Sequence, residues 1–310
     1  MKTLLSLAVC LSLLPLARAD EARPAKKLLV ITESRGFRHS VVARGKNGEL
    51  SLAEKVLTKI AKDSGDFEVT CSQDSRSMIT AENLKKFDAV FFYTTGSLPL
   101  SDTQKADLLG FIRAGKGFAG AHSATDTFYD WPEYGKLVGG YFNGHPWHRK
   151  IRVLVEDKKH PATKHLGDSF EITDEIYQFR EPYDRKNLRI LMRMDMEIDR
   201  PSTTAGGKKL ADGDEVTLTV KGGKPALLVN GKPVEAVGFQ YTGPQGARKD
   251  RDNALAWVRE YGKGRVFYTA LGHREDVWED ARYQKHVLGG LRYVLGLETA
   301  DATPSAEAKK

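Results

Sequence analysis

Residues 115–126 read GKGFAGAHSATD. The stretch opens small and apolar, turns near Gly120, and runs on into Ser123-Ala124-Thr125-Asp126, a plausible helix start. This is the outline of a strand, an elbow and a helix, the geometry that lifts a reactive side chain above a parallel sheet. A nucleophile elbow carries serine or cysteine at the turn. Here the turn carries His122.

The residues before this stretch support a sheet of that kind. KKLLVITE (26–33) is a short apolar run of the sort found in buried parallel strands, and the polar loop SRGFRHS (34–40) follows it. NGELSLAEKVLTKIAKDSG (47–65) has apolar residues at helical spacing and stops at Gly65. FEVTCS (67–72) and DAVFFYTT (88–95) are further strands, with a short helix TAENLKKF (80–87) between them. SDTQKADLLGFIRAG (101–115) is a helix with a Ser/Asp start and a glycine stop. Alternating strands and helices predict an α/β fold with a mostly parallel sheet and helices on both faces. In such sheets the ligand crevice lies beyond the carboxyl ends of the strands. The segments at those ends are SRGFRHS, TTGSLPLS and HSATD, and two of them carry histidine.

Downstream, WPEYGKLVGGYF (131–142) predicts a short helix and a glycine turn, GHPWH (144–148) a proline-stiffened loop, and KIRVLVED (150–157) and NLRILMRMD (187–195) two strands. Residues 200–250 change character. They are rich in Gly, Lys and Asp and alternate like small hairpins around Gly222-Gly223 and Asn230-Gly231, which predicts a β insertion or lid. ALAWVREYGKGRVFYTALGH (254–273) returns to the core as two strands around a tight YGKG turn. ARYQKHVLGGLRYVLGL (281–297) is a closing amphipathic helix, and residues 298–310 are expected to be a disordered tail.

The chain has 310 residues, two of them cysteine, and a net charge of +7. Residues 1–19 are expected to be a signal peptide: Lys2, an apolar run of h-region length, and a small-x-small site at Ala17-Arg18-Ala19. The run is too short to span a bilayer comfortably. Residues 20–26 then form an N-terminal tail, and the product is expected to be periplasmic or secreted. Removing the leader takes Cys10, Lys2 and Arg18 with it. Cys71 remains as a lone cysteine, read as a core residue, and the charge falls to about +5. The basic residues are scattered among acids without a nucleic-acid motif, so nucleic acid is excluded as a partner. No oligomeric state is read from the pattern.

GFRHS, GAHSATDTFYDWPEYGKLVGGYFNGHPWH, HPATKHL, DEIYQF, ALAW and YGKGRVFYTALGH, with the closing YQKHVLGGLRY, together resemble the ThuA-like (trehalose-utilisation) family. The similarity runs over 27–297 and weakens over 200–247. The resemblance implies a three-layer, flavodoxin-like sandwich related to class I glutamine amidotransferases, whose elbow holds a catalytic cysteine. His122 stands at that turn here, which argues against thiol-dependent amidotransferase chemistry. The resemblance also implies disaccharide use, including sugars oxidised at carbon 3, by exported relatives.

Histidine at an elbow serves best as a metal ligand or a general base near neutral pH. His145 and His148 are spaced to converge if their loop curls, so His122, His145 and His148 are the expected ligands of a divalent ion. Zinc, manganese or iron suits imidazole and carboxylate donors. Asp126, Glu175 and His39 join His122 as candidate acid–base groups. Arg38 is a candidate for holding a carboxylate or hydroxyl. Trp131, Trp147 and Tyr177 are candidate sugar platforms, and His273 ends a strand on the same functional edge. The expected function is an exported, metal-assisted enzyme acting on a small-molecule carbohydrate, a glycoside or keto-sugar. Its chemistry would be proton abstraction next to a carbonyl, leading to elimination, isomerisation or cleavage. The second reading is a non-catalytic carbohydrate-binding protein using the same crevice.

Overall fold

The computed structural model describes residues 25–196 and 252–305, and between them the strands at 204–205, 208–209, 216–221 and 224–229 with the segment 230–234. The expected leader lies outside the described residues.

Leu28-Leu29-Val30-Ile31 is fully buried, as a strand covered on both faces must be, and forms most of β1 (Lys26–Ile31). A loop leads to α1 (Leu52–Ser64). Ser51 caps it by accepting from the Glu54 N–H, while the Glu54 side chain accepts from the Ser51 N–H. β2 (Phe67–Ser72) and β3 (Ala89–Phe92) follow. α2 (Asp102–Arg113) repeats the capping box with Ser101 and Gln104, and β4 (Gly117–Ala121) ends at the elbow. α3 (Pro132–Val138) starts on the proline, where a missing N–H costs nothing.

The second half supplies β5 (Trp147–Val155), β6 (Ser169–Ile176), β7 (Arg189–Met194), β8 (Ala254–Tyr261), β9 (Gly264–Thr269) and α4 (Ala281–Val294). The sheet has nine strands in the order β2-β1-β3-β4-β9-β8-β7-β5-β6. The first five pair in parallel. The pairings β9–β8, β8–β7, β7–β5 and β5–β6 are antiparallel. The expectation of a mostly parallel sheet is therefore corrected to a mixed one. The change of direction begins at the YGKG turn: β8 and β9 are a hairpin, and β9 returns beside β4 so that Thr269 pairs with Ala121. This return brings the end of β9 next to the elbow.

GHPWH departs from the expected loop. Pro146 precedes β5 instead of interrupting it, so Trp147 and His148 are already strand residues, with His148 directly opposite Glu175. The insertion contains a three-stranded antiparallel sheet, 216–221 with 224–229 and 232–234. Its last turn places Asn230 and Gly231 at φ 50° and 75°, the mirror-image turn that Asn-Gly favours. Gly222 and Gly223 lie outside the described residues. The expected tail is ordered in part. Ser305 N–H donates to the Leu188 carbonyl, and its hydroxyl accepts from Ile190 N–H. Asp301 also pairs with Arg189 at 3.0 Å. Residues 306–310 lie outside the described residues.

Candidate functional site

The elbow forms, but one short turn of 3₁₀ helix (His122–Thr125) replaces the expected helix start. His122 sits at φ 44°, a left-handed conformation uncommon outside glycine. The turn closes tightly: a Cβ on Gly120 would lie 2.8 Å from the Ala124 Cβ, so a small residue is required there. His122 is fully buried. Its Nδ1 lies 2.8 Å from the Ala270 carbonyl. That acceptor places a proton on Nδ1 and turns Nε2 toward the other side chains, as a lone pair when the imidazole is neutral and as an N–H toward Glu175 when it is charged. The Tyr177 ring packs 4.0 Å from the imidazole, centroid to centroid.

Three other side chains meet that Nε2. His39, delivered by the loop after β1, is buried, with its ring centroid 4.9 Å from His122 and 5.2 Å from His273. His273 follows β9, and its Nδ1 lies 3.3 Å from His122 Nε2. Glu175, on β6, places Oε2 3.4 Å from His122 Nε2 and 3.2 Å from His273 Nδ1. One donor atom from each of the four lies within 4.8 Å of all the others.

Burial, then the neighbouring His122 and His273, push the His39 pKa down to about 3, so His39 is neutral at physiological pH. Burial alone would raise Glu175, but hydrogen bonds and charge from His122 and His273 outweigh it and hold the carboxylate well below its ordinary range. Burial lowers His273 as well, yet its hydrogen bond to Glu175 and that residue's charge leave its pKa raised. Asp126 is raised, chiefly by burial, although Tyr129 O–H donates to it at 2.6 Å.

Three imidazoles and a carboxylate form a donor set suited to zinc, manganese or iron. Two ligands each about 2.0–2.1 Å from a tetrahedral ion stand about 3.3–3.4 Å apart, close to the separations among His122, Glu175 and His273, with a donor atom of His39 within 4.8 Å of each. His39 Nδ1 is buried without a hydrogen-bond partner. The residues thus fit a divalent cation, but the set is not the one expected. His122 is joined by His39, Glu175 and His273 in place of His145 and His148. His145 is half-exposed, with Nδ1 3.4 Å from Glu175 Oε1, the oxygen facing away from the other imidazoles. His148 is exposed, and its ring sits edge-on 5.2 Å from His273.

The expected platforms are placed elsewhere. Trp131 and Trp147 are 7% and 5% exposed. Trp131 stacks on Tyr134 and meets Phe128 edge-on. Tyr177 is buried against His122. Arg38 is exposed and lines a cleft of about 190 Å³ with Glu33, Arg35 and Gln73.

Asp174, the neighbour of Glu175 in TDEIYQF and an acid of the same alternating strand, joins the site as a positioning residue. It is 0% exposed and accepts from the N–H groups of Gly272 at 2.7 Å and Arg274 at 3.2 Å, on either side of His273.

The family model for ThuA, trehalose utilisation, matches residues 27–294. Among solved structures, a ThuA-like protein from Bacteroides uniformis superposes with a TM-score of 0.59 at 19% identity, covering 89% of this chain and 94% of that one. A ThuA-like protein from Parabacteroides merdae gives 0.59 at 18%, with 90% and 92% covered. A cytoplasmic protein from Salmonella typhimurium gives 0.50 at 12%, with 86% and 99% covered. At these identities the likeness is one of fold. No curated protein sequence matches the chain. The match over most of the chain places this protein in the ThuA, or trehalose-utilisation, family.

Proposed function

We propose that this protein is an exported enzyme that modifies a small carbohydrate at the four-donor cluster, within a flavodoxin-like three-layer version of the α/β fold. The observation that carries the reading is the convergence of His39, His122, Glu175 and His273, from four separate segments, within 4.8 Å at the sheet's carboxyl edge. Membership of the trehalose-utilisation family supports a carbohydrate as the substrate class. The preferred substrate is a glycoside or its keto derivative. These four residues would hold a divalent cation, which when bound supplies Lewis-acid polarisation of a carbonyl.

The chain's remaining groups supply acid–base chemistry. His145 stands outside the cluster on the free oxygen of Glu175 and is half-exposed, so it can face a substrate. Its imidazole takes the proton from the carbon next to the carbonyl, and the C–H electron pair becomes the enolate π bond. In elimination, that pair then expels the leaving oxygen. The proton then held by His145 returns to that oxygen, with Asp126 as the second acid–base group beside it.

Two measurements test the reading. Protein purified without added metal is assayed for zinc, manganese and iron, then screened on keto-glycosides with and without a chelator. Bound metal and chelator-sensitive turnover support it. Metal-free protein that binds sugar without turnover would return the second reading, a carbohydrate-binding protein. Export is tested by N-terminal sequencing after expression in a Gram-negative host: Asp20 at the new terminus supports it, and intact Met1 removes it.

A further inference from the structure

Among the described residues only three large apolar side chains are exposed: Phe37 at 66%, Tyr129 at 40% and Leu297 at 40%. Phe37 stands against the cluster, and Tyr129 against Asp126 at the end of the elbow turn. The Phe37 ring meets buried His39 edge-on, centroids 4.9 Å apart at 83°. Tyr129 is bonded to Asp126, and Arg180 lies 4.9 Å from its ring centroid.

Both positions are held by backbone. Arg35 N–H donates to the Thr95 carbonyl at 2.8 Å, and Gly36 N–H to Thr95 Oγ1 at 3.2 Å. The Thr95 hydroxyl in turn donates to the Phe37 carbonyl at 2.9 Å. The neighbouring Gly96 exchanges bonds with the elbow segment, donating to Asp126 O at 2.8 Å and accepting from Phe128 N–H at 3.2 Å. These contacts extend the parallel sheet beyond its strands, through bridges Ser34–Thr95 and Gly96–Thr127. Phe128 is fully buried at φ 56°, a strained setting for a bulky residue. It leaves the next side chain, Tyr129, exposed on the Asp126 side. An exposed phenyl ring gains no burial in the free protein. Fixing one with three hydrogen bonds beside a buried imidazole is what a recognition surface requires.

We propose that Phe37 is the specificity-determining platform of this site: it stacks on the C–H face of a pyranose ring, with Tyr129 as the second wall. Burial of the three aromatics that the sequence offered for this role leaves Phe37, against His39, and Tyr129, against Asp126, as the exposed large apolar rings on this edge among the described residues. Apolar area and the electron-rich ring face select a cyclic sugar with axial C–H groups on one side and discriminate against an open-chain polyol bearing the same hydroxyls. This inference rests on the carbohydrate reading above.

The full chain and its Phe37→Ala, Phe37→Trp and Tyr129→Leu variants are titrated with trehalose, methyl α-glucoside and sorbitol by ligand-observed NMR, and the metal content of each is measured. The parent is expected to bind the two ring sugars and not sorbitol. Phe37→Ala should weaken ring-sugar binding about tenfold or more, Phe37→Trp should keep it, and Tyr129→Leu should weaken it less than Phe37→Ala does. Metal content should be the same in all four. Equal affinity in the parent and Phe37→Ala overturns the proposal, as does a parent that binds neither ring sugar or binds sorbitol equally well. Phe37-dependent sugar binding in a metal-free protein would keep the platform and remove the metal-assisted reaction. Metal at the cluster with sugar affinity indifferent to Phe37 would do the reverse.

Discussion

The carboxylate of Asp174 brackets His273. One oxygen accepts from the N–H before it, at Gly272, and the other from the N–H after it, at Arg274. The same short loop is held from its other side, because Tyr93 O–H and Trp278 N–H both donate to the Gly272 carbonyl. His273 is therefore placed by its backbone, while its ring is free to meet Glu175 and His122. Asp174→Asn keeps one acceptor and turns an NH₂ toward the other N–H. It should cost about 1–3 kcal/mol in urea unfolding, the range for a buried donor left unpaired. It should also lower metal occupancy. Full stability with full occupancy would show that the bracket does not position His273.

The ligand set can be read by metal analysis of single variants. His39→Ala, His122→Ala and His273→Ala should each lower occupancy, and His148→Ala should not. Pairwise losses among the first three should be far from additive, because one missing ligand already spoils the site. Chelation should lower the Tm of the parent, since a cation held by the folded state alone stabilises that state. If His148→Ala empties the site and His39→Ala does not, the ligand set proposed here is wrong.

Two histidines away from the cluster set an acid limit on stability. Burial, the larger influence for each, pushes His160 down to about 4 and His286 down to about 3, from an ordinary value of 6.5. Their folded pKa values lie below their unfolded ones, so the unfolded chain binds more protons across that window. Stability should therefore fall as pH drops from about 6.5 toward 4, by up to about 1.4 kcal/mol per pH unit for each residue. His286→Gln, whose amide can still donate to the Ala162 carbonyl that His286 Nδ1 now faces, should flatten the slope by about one proton. An unchanged slope in urea titrations at several pH values would remove this account.

Gly96 and Gly65 have the same left-handed backbone, at φ 70° and 69°. A Cβ on Gly96 would lie 2.8 Å from the Arg35 carbonyl carbon and 2.9 Å from Gly36 N, whereas a Cβ on Gly65 meets nothing within 4 Å. Gly65→Ala should cost about 1–2 kcal/mol, the left-handed penalty alone. Gly96→Ala should cost clearly more, and it should disturb Phe37 and His39 because the loop that it abuts carries both. Equal losses in thermal unfolding would show that the two loops separate freely.

Cys71 lies half-buried on β2, packed against the core. Burial, its main influence, pushes the thiol up to about 11, so little thiolate exists at neutral pH. Cys71→Ser should leave sugar binding and metal content unchanged, and alkylation by iodoacetamide should be slow in the native state. Loss of ligand binding at full stability would contradict this.

Much of the site was legible because strand ends can be read locally. An apolar run followed by a polar loop marks a carboxyl edge, and that pattern singled out His39, His122 and His273. Glu175 was legible as an acid in an alternating strand beside aromatics. The grouping was not legible. GHPWH looks like a curling loop until β5 pairs with β6: His148 then stands opposite Glu175 but exposed, and the donor set closes with His39 and His273 instead. Trp131 and Trp147 look like sugar platforms until neighbouring elements cover them. Exposed Phe37 carries no distinguishing local pattern.

By itself the sequence determined the alternating α/β frame, the elbow at His122, the capped helices, the tight turns of the β8–β9 hairpin and the insertion, and the family. All of these depend on residues within a few positions of one another, where periodicity and turn chemistry act. Tertiary structure alone decided that the sheet is mixed, that β9 returns beside β4, and that His39, His122, Glu175 and His273 meet. A ligand set is defined to a few tenths of an ångström, and side chains far apart in the sequence reach that precision only through strand register and core packing.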